Sequence, residues 1–487
     1  MRDGTLRVLM VTPEAGPFVK TGGLGDVLGG LPRALVERGE EVAVVLPRYR
    51  TAQIPDSTRI WYSMPLWIGP RQYVAAIDQT ILNGVRYLFV DCPPLYDRAG
   101  VYNEAGVDYP DNHIRFAFLD RAAIEIARYI FKTDIFHGHD WQTGLVAPYL
   151  AKLSSDPTFF GARTVLTIHN LGYQGIFGTN VLGELGLDSS WFHPEGLEYH
   201  GWVSLLKAGI VWSDAITTVS PTYAKEIQTP EYGFGFDALL RSRAAKLTGI
   251  LNGVDYGDWD PDGDPHIAAR YSLKDLSGKA VCKRALLEEM GLPADLSATA
   301  PRPLIGIVSR FAHQKGFDIF AAIAPALLDE NVAFAVLGSG DSAIEDAFRS
   351  LAAERLNQFA VRIGFDDGLA HRIEAGSDMF LMPSRYEPAG LSQMYSLRYG
   401  TVPIVRATGG LMDTVDPETG FMFSGYEPAA LLDAIRAALA AFKDQKAWVE
   451  RMRRGMAKDL SWSASAGKYQ ELYRRQLASE RPFAHHM

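Results

Sequence analysis

The sequence predicts an α/β protein of two domains, each built on an open, mostly parallel β-sheet flanked by helices. Short apolar runs alternate with segments of helical periodicity, which is typical of parallel sheets whose strands are joined by helices. The alternation is interrupted near residues 231–246 and then restarts. A chain of 487 residues also exceeds what one hydrophobic core usually organises.

In the first half, apolar runs predict strands, and the longer periodic segments between them predict helices. Asn83-Gly84 separates two alternating runs and is a hairpin signal, so it predicts a local antiparallel insertion at 73–81 and 85–90. The other predicted strands are 6–11, 41–46, 134–137, 163–168 and 214–219, and the predicted helices are 24–38, 112–131 and 203–212.

The second half repeats the pattern and ends in two amphipathic helices. The predicted strands are 303–309, 333–337, 361–363, 379–382 and 401–405, and the final helices are 445–459 and 464–477. We therefore predict domains at 1–245 and 246–463, with 464–487 returning to pack on the first. Ligands of open α/β sheets bind at the carboxyl ends of strands, so motifs that directly follow a strand are the candidates for function.

The net charge, the cysteine count and the length of the apolar runs argue against several classes of protein. A net charge of −9 disfavours a nucleic-acid or anionic-membrane surface, because both need a basic field. Two cysteines are too few for a disulfide framework. The apolar run at the start is too short for a signal peptide, and no run is long enough for a membrane span. We therefore expect a cytoplasmic protein.

Residues 20–26, Lys-Thr-Gly-Gly-Leu-Gly-Asp, follow the first strand and open the first helix. Glycines let backbone amides approach an anion, and a helix start adds a positive dipole. A dinucleotide fingerprint would need a small residue where Leu28 stands. The second strand ends in Pro47-Arg48 instead of the acid that holds a ribose. The motif favours a polar-ligand site over a nicotinamide site, with a plain glycine turn as the alternative.

His137, His139 and Asp140 follow one strand, and His169-Asn170 follows the next. Two imidazoles on one side of an extended segment are a possible metal site, but no Cys or Glu cluster completes it. Donors, acceptors and the apolar face of Trp141 suit sugar hydroxyls better. We expect no metal here.

Residues 258–265, Asp-Trp-Asp-Pro-Asp-Gly-Asp-Pro, imitate the start of a calcium loop. Ala269 stands where such a loop carries its bidentate Glu, and prolines interrupt the ligand positions. The run also contains Asp-x-Asp pairs of the kind with which metal-using glycosyltransferases hold a diphosphate. The preferred interpretation is a proline-rich turn.

Arg310 ends an apolar strand, and Lys315 lies where the next helix begins. Two cations beside a helix start are a compact site for a diphosphate, and they would stabilise it as a leaving group. A solvated surface pair is the alternative.

Glu387 lies in a loop after a later strand, where a carboxylate can hold two vicinal hydroxyls. An ordinary acid at a helix start is the alternative there.

Together these motifs resemble the bacterial glycogen synthase and starch synthase family of retaining glycosyltransferases. The resemblance covers almost the whole chain in family order. Its pieces are KTGGLGDV (20–27), YDRAGVYNEAG (96–106), HGHDWQTGL (137–145), TIHNLGYQGIF (167–177), TVSPTYAKEI (218–227), LNGVDYGDWDP (251–261), VSRFAHQKGFD (308–318), PSRYEPAGLSQMYSLRYG (383–400) and RATGGLMDTV (406–415).

The resemblance implies a GT-B fold, two Rossmann-like domains with a cleft between an acceptor-side domain and a nucleotide-donor domain. It implies transfer of glucose from ADP-glucose to the non-reducing end of an α-1,4-glucan such as glycogen, with retention of configuration and with no cofactor or metal. The implied catalytic residues are Glu387, His169, Asp140, Arg310 and Lys315. The implied substrate-binding residues are Lys20, Gly23, Asp26, Asn252, Phe365 against adenine, Gly390, Leu391, Ser392, Gly409 and Gly410.

Two hypotheses compete with this function: a non-catalytic α-glucan-binding protein, and a GT-B transferase that uses another nucleotide sugar. The first would be expected to have lost Lys20, Arg310, Lys315 or Glu387, and all four are present. Sister retaining families often carry a second Glu eight residues after the first, where this chain has Tyr395.

Thr-Gly-Gly-Leu-x-Asp occurs twice, at 21–26 and 408–413. The copies fall in different predicted domains, each after a strand. We expect two glycine-rich loops that present backbone amides to the same cleft.

Overall fold

The computed structural model describes residues 4–293 and 301–479. Contacts divide the chain into two compact units. The first comprises Met1–Val219, Ala224–Gly253 and Trp462–Met487, and the second comprises Ser220–Tyr223 and Val254–Ser461. The sequence-based boundary lies at 245/246, whereas the contacts change unit after Gly253. The reason is a short edge strand at Leu247–Gly249, which pairs with the first sheet.

The first unit contains strands of very different length. Its described strands are β1 (Arg7–Val11), β2 (Glu41–Pro47), β3 (Thr58–Ile68), β4 (Arg71–Leu82), β5 (Val85–Asp91), β6 (Asn103–Glu104), β7 (Val107–Asp108), β8 (Ile135–His139), β9 (Arg163–Ile168), β10 (Ile176–Phe177), β11 (Glu198–Tyr199), β12 (Trp202–Ser204), β13 (Ala215–Thr218) and β14 (Leu247–Gly249). Its helices are α1 (Gly23–Glu37), α2 (Pro93–Tyr96), α3 (Asn112–Tyr129), α4 (Val146–Lys152), α5 (Val181–Glu184), α6 (Leu205–Trp212), α8 (Asp237–Ser242) and part of α7 (Pro221–Glu226).

Within the described residues, the main sheet of this unit has nine strands in the order β14-β13-β9-β8-β1-β2-β5-β4-β3. All neighbours from β14 to β5 are parallel, and β5-β4-β3 are antiparallel. The predicted Asn83-Gly84 hairpin is confirmed, since both residues have positive φ between β4 and β5. The strand order reverses between β1 and β8, which is where an open α/β sheet binds ligands.

The second unit is a smaller α/β domain. Its strands are β15 (Leu304–Phe311), β16 (Ala333–Gly340), β17 (Phe359–Ile363), β18 (Met379–Met382), β19 (Val402–Arg406) and β20 (Phe421–Phe423). Its helices are α9 (Ser277–Glu289), α10 (Phe317–Leu328), α11 (Ser342–Glu354), α12 (Asp367–Gly376), α13 (Ser392–Arg398), α14 (Gly409–Thr414), α15 (Pro428–Phe442) and α16 (Gln445–Met456).

Its six described strands form one parallel sheet in the order β17-β16-β15-β18-β19-β20. The order reverses between β15 and β18. Apolar side chains on both faces are buried, which is why the strands are continuous hydrophobic runs in the sequence. Both units are therefore Rossmann-like, and the predicted GT-B class is confirmed.

The last described helix, α17 (Trp462–Ala478), belongs to the first unit and packs against α1. A Cβ at Gly30 would lie 2.1 Å from Nε1 of Trp462, so only glycine permits this close approach. Glu40 is buried and accepts hydrogen bonds from Gln470 and from Arg474 Nη2, which fixes the helix against the residue that precedes β2. Among the described residues, no helix has the length and apolar composition needed to cross a bilayer.

Candidate active site

In the first unit, the predicted site residues follow β1, β8 and β9, whose carboxyl ends lie side by side at the point where the strand order reverses. The glycine-rich loop follows β1, Asp140 follows β8, and His169 follows β9. Parallel pairing alone therefore places these segments together, as the sequence predicted.

The loop at 20–26 is held by two carboxylates. Lys20 Nζ lies 2.6 Å from Asp26 Oδ1, and this ion pair closes the loop over the first turn of α1. Glu14 accepts hydrogen bonds from the Thr21 amide at 2.7 Å and from the Thr21 hydroxyl at 2.6 Å. A Cβ at Gly25 would lie 2.9 Å from Lys20 Cγ, so Gly25 leaves room for the lysine side chain.

Glu14 is buried, and the pKa of its carboxyl is raised to about 7 chiefly by burial, although the Thr21 hydrogen bonds oppose the shift. The folded state thus binds a proton that the unfolded chain releases near its ordinary pKa of 4.5. This contribution to stability is complete below the unfolded pKa and is lost as the pH rises to about 7.

In the parent protein, titration of Glu14 should lower the free energy of unfolding by about 3 kcal/mol between about pH 4.5 and about pH 7. We therefore expect this decrease to be absent in Glu14→Gln. Denaturant unfolding at several pH values across this range measures the difference. Glu37→Gln is the matched control, because Glu37 is an exposed glutamate on α1. Identical pH profiles for Glu14→Gln and the parent protein would contradict the assignment.

Asp140 has a backbone conformation with φ of 59°, which turns the chain sharply after β8. Its Oδ1 accepts hydrogen bonds from the His169 amide at 2.7 Å and from the Asn170 amide at 3.4 Å. Withdrawal from water raises the pKa of Asp140 to about 7, while the two amides lower it and Glu14 raises it further. The carboxyl thus joins the ends of β8 and β9 and changes charge near neutral pH.

The imidazole rings of His137, His139 and His169 are neighbours in one buried cluster. His137 lies within hydrogen-bonding distance of Tyr473 Oη (2.7 Å) and Thr167 Oγ1 (2.6 Å), and His139 Nδ1 lies 2.9 Å from His169 Nε2. Burial lowers the pKa of His137 and of His169 to about 3 and that of His139 well below its ordinary value. The rings are therefore neutral, and both nitrogens of His137 are occupied by hydroxyl groups.

Asn252 lies three residues after β14, and its side chain is buried. Within the described part of the chain, its Oδ1 has no hydrogen-bond partner. An unpaired buried acceptor costs free energy unless a donor from water or a ligand reaches it.

In the second unit, Arg310 lies near the end of β15, and the other predicted residues except Phe365 follow β15, β18 and β19, again where the strand order reverses. Lys315 Nζ lies 2.6 Å from Glu387 Oε2, which also accepts a hydrogen bond from Ser384 Oγ at 2.9 Å. The side chains of Lys315 and Glu387 are 17% and 7% exposed, so this is a largely buried ion pair. Arg310 is exposed, and its guanidinium makes no ion pair within residues 4–293 and 301–479.

The loops that carry these groups are fastened to each other. The Arg385 amide donates to Gln314 O at 2.8 Å, and the Gln314 side chain donates to Tyr386 O at 3.1 Å. Gly316 has φ of 75°, and a Cβ there would lie 2.0 Å from Pro383 O. The positions of Lys315 and Glu387 therefore depend on each other.

The second Thr-Gly-Gly-Leu-x-Asp copy supports the Glu387 loop. The Gly410 amide donates to Glu387 O at 3.1 Å and to Pro388 O at 3.2 Å. A Cβ at Gly409 would lie 1.9 Å from Glu387 O, and one at Gly410 would lie 1.8 Å from Ala389 O. Asp413 accepts hydrogen bonds from the Thr222 amide and hydroxyl. The Gly410 amide is thus directed at the protein backbone and supports the Glu387 loop.

Gly390, with φ of 62°, and Leu391 lead into α13, whose first residue is Ser392. Phe365 follows β17 and is 85% exposed. Tyr395, at the position of the missing second glutamate, stacks on Trp259 with ring centroids 3.9 Å apart. That position is part of an aromatic stack.

Sequence reasoning missed Glu14, Ser384 and Tyr473, each of which contacts a residue of a predicted motif. Glu14 and Ser384 lie within seven residues of the motif residue they bind, but nothing local signals that they are buried. Tyr473 lies 336 positions from His137, so only the tertiary fold brings the two together.

Comparison with known proteins fits this geometry. Residues 7–242 match the family described as Starch synthase catalytic domain, and residues 293–455 match Glycosyl transferases group 1. A glycogen synthase of Anaeromyxobacter dehalogenans is 50% identical over 480 residues, covering 96% of this chain and 99% of the relative. One from Koribacter versatilis is 47% identical, covering 96% and 98%. The chain belongs to the glycogen synthase family.

Solved structures support the same family assignment. The catalytic domain of Starch Synthase IV from Arabidopsis thaliana, bound to ADP and acarbose, is 34% identical with a TM-score of 0.90, covering 98% of this chain and 100% of that one. A sucrose-phosphate synthase from Thermosynechococcus elongatus, at 19% identity and a TM-score of 0.61, shows the fold alone. The resemblance predicted from the motifs is thus confirmed, and this glycogen synthase family member is a hexosyltransferase.

Proposed function

We propose that the chain transfers glucose from ADP-glucose to the 4-hydroxyl at the non-reducing end of an α-1,4-glucan, with retention of the α configuration. The observation that carries this proposal is the cluster of Arg310, Lys315 and Glu387 at the strand ends of the second unit. The ADP bound by the Arabidopsis relative supports the choice of nucleotide.

In this proposal, Arg310 and Lys315 stabilise the leaving diphosphate. As the bond between glucose C1 and the diphosphate oxygen breaks, negative charge develops on the diphosphate, and ADP departs with the electron pair. The exposed Arg310 guanidinium offers a bidentate site for phosphate oxygens. Lys315 carries three N–H donors, so it can bind phosphate while it keeps Glu387. Fixed positive charges stabilise the transition state more than the ground state.

In this proposal, residues of the first unit bind the transferred sugar. Lys20 and Asp26 are proposed to lie near the donor, and Asp140 and His169 are proposed to approach the glucose. The Asp140 carboxyl and the neutral His169 ring supply an acceptor and a donor for hydroxyl groups. Because the pKa of Asp140 is raised to about 7, its acceptor strength grows as the pH passes neutrality.

Retention is proposed to occur by attack of the acceptor hydroxyl on the face from which the diphosphate departs, with the departing phosphate oxygen accepting the proton of that hydroxyl. A double displacement would need a carboxylate nucleophile and a second acid about 5 Å apart. The described contacts of the Glu387 carboxylate are with Lys315 and Ser384. Tyr395, where sister families place a second glutamate, stacks on Trp259.

Phe365 is proposed to stack on adenine, so Phe365→Ala should raise the KM for ADP-glucose roughly three- to tenfold with little change in kcat, as expected for loss of an aromatic contact. Steady-state kinetics measure the effect. Leu356→Ala is the matched control, because Leu356 is another exposed apolar residue of the second unit. An unchanged KM in Phe365→Ala would remove the residue from the nucleotide site.

The proposed donor is tested by incubating the pure protein with glycogen and either ADP-glucose or UDP-glucose and following nucleotide release. We expect a higher kcat/KM with ADP-glucose. A preference for UDP-glucose would favour the transferase of another nucleotide sugar. Glycogen binding with no release from either donor would favour the non-catalytic glucan-binding protein.

A cytoplasmic location also remains part of the proposal. Cys92 and Cys282 are both buried and unpaired with each other, as expected of a chain kept in a reducing compartment.

A further inference from the structure

The acidic run at 258–265 contributes no residue to the proposed transfer of glucose, yet two of its carboxylates make specific contacts. Asp260 pairs with Arg398 at 2.5 Å, as in a turn tied to a neighbouring helix. Asp264, in contrast, is buried and directed at α12. Beside it, His266, Asp367 and His371 each bring one possible metal-ligand atom to within 4.8 Å of the others.

A single carboxylate positions both histidines of this group. Asp264 Oδ2 lies 2.8 Å from His371 Nδ1, and Asp264 Oδ1 accepts the backbone N–H of His266 at 2.7 Å. Tyr399 donates to Asp264 Oδ2 at 2.6 Å. A carboxylate bonded to one imidazole nitrogen fixes the tautomer of a metal-binding histidine and leaves the other nitrogen available.

The His371 ring is held rigidly and lacks a partner on its second nitrogen. It is fully buried and stacks on Trp259 with ring centroids 3.7 Å apart. Within residues 4–293 and 301–479, its buried Nε2 has no hydrogen-bond partner. A buried, unsatisfied ring nitrogen requires an explanation, and a bound ligand supplies one.

The remaining two groups are free to adjust. Asp367 and His371 are four residues apart on α12, so they share one face of the helix. His266 is exposed, and Gly368 leaves room for it, since a Cβ there would lie 3.4 Å from His266 Nδ1. Two ligands of a tetrahedral zinc lie roughly 3.4 Å apart, given bond lengths of about 2.1 Å, so shifts of up to about 1.4 Å close the site.

The charges suit a divalent cation. Asp264 and Asp367 supply two negative charges, and the histidines bind as neutral imidazoles. Arg372 is a nearby cation, and its guanidinium is held by Glu289 in two hydrogen bonds of 2.6 and 2.9 Å. Imidazole with carboxylate is a donor set that zinc prefers over calcium or magnesium.

We propose that His266, Asp367 and His371 bind one divalent transition-metal ion, zinc above all, with Asp264 as the group that orients both histidines. The ion joins the loop after residue 258 to the first turn of α12. It stabilises the second unit and takes no part in the transfer of glucose.

The full-length protein is tested with Zn²⁺ and with Co²⁺ as the spectroscopic probe. His485 and His486, which lie outside the described residues, are alanine in every protein compared. We expect about one Zn²⁺ per chain by equilibrium dialysis, visible absorption bands of bound Co²⁺, and a rise in the melting temperature of the protein when Zn²⁺ is added.

The ligand variants His266→Ala and Asp367→Asn change exposed side chains, so both should fold. Each should weaken Zn²⁺ binding at least roughly tenfold and abolish the Co²⁺ bands. His193→Ala, which removes an exposed histidine of the first unit, should bind as the parent does. No stoichiometric Zn²⁺ in the parent, or equal binding in the ligand variants and His193→Ala, would overturn the proposal.

Discussion

Replacing Lys315 by alanine is expected to lower kcat by roughly 10²- to 10³-fold and to destabilise the second unit as well. The loss of rate follows from removing one fixed charge at the departing diphosphate. The loss of stability has a separate cause, because Glu387 is left with a buried, unpaired carboxylate. Breaking a buried pair in this way costs about 3 kcal/mol. Initial-rate assays and thermal unfolding measure the two effects.

Two further variants separate the causes. Arg310→Ala should lower kcat by a similar factor with no change in melting temperature, because Arg310 is exposed and has no ion pair within the described residues. The double variant Lys315→Ala/Glu387→Gln should recover most of the lost stability while it stays inactive. Near-normal turnover in Lys315→Ala would remove the lysine from the leaving-group site.

Gly409→Ala is expected to lower both stability and turnover. Its Cβ would lie 1.9 Å from Glu387 O, and its φ of 47° already disfavours a side chain. The loop must move, which costs about 2 kcal/mol of stability. Displacing Glu387 by about 1 Å should lower kcat by about 10²-fold. Rates and denaturant unfolding report both losses.

The other copy of the motif provides the matched control for stability. Gly22 is the counterpart of Gly409, yet a Cβ there would meet nothing within 4 Å, and its φ of −170° is open to any residue. Gly22→Ala should therefore unfold like the parent. If Gly22→Ala and Gly409→Ala lose equal stability, the second loop does not support Glu387 in the way proposed.

These contrasts show that the repeated sequence performs two different tasks. In the first copy, the loop is closed by the Lys20–Asp26 pair, and its glycines leave space. In the second, Gly409 and Gly410 lie so close to the Glu387 loop that no side chain fits. The packing around the two copies distinguishes these tasks, although the letters are the same.

Local periodicity predicted the strands well where both faces are buried. The bounds predicted for 163–168 and 379–382 match β9 and β18. Periodicity did not reveal β3, because this edge strand is largely exposed and its register against β4 shifts twice. An exposed, irregular strand lacks the apolar run on which such predictions depend.

The sequence also located the strand ends that carry the candidate site, since parallel strands present their carboxyl ends together. It could not predict that Lys315 is paired with Glu387, which lies 72 positions away. Nor could it show that Asp264 would leave the solvated turn and bind His371, 107 positions further on. Such contacts depend on burial, which short-range patterns do not encode.

The most direct test of the central claim is a comparison of ADP released with glucose incorporated into glycogen from labelled ADP-glucose. We predict a ratio of about one, new linkages cleaved by an α-1,4-specific hydrolase, and loss of both signals in Arg310→Ala, which should fold as the parent does. Glycogen binding without ADP release, or ADP release without incorporation, would contradict the proposed transfer.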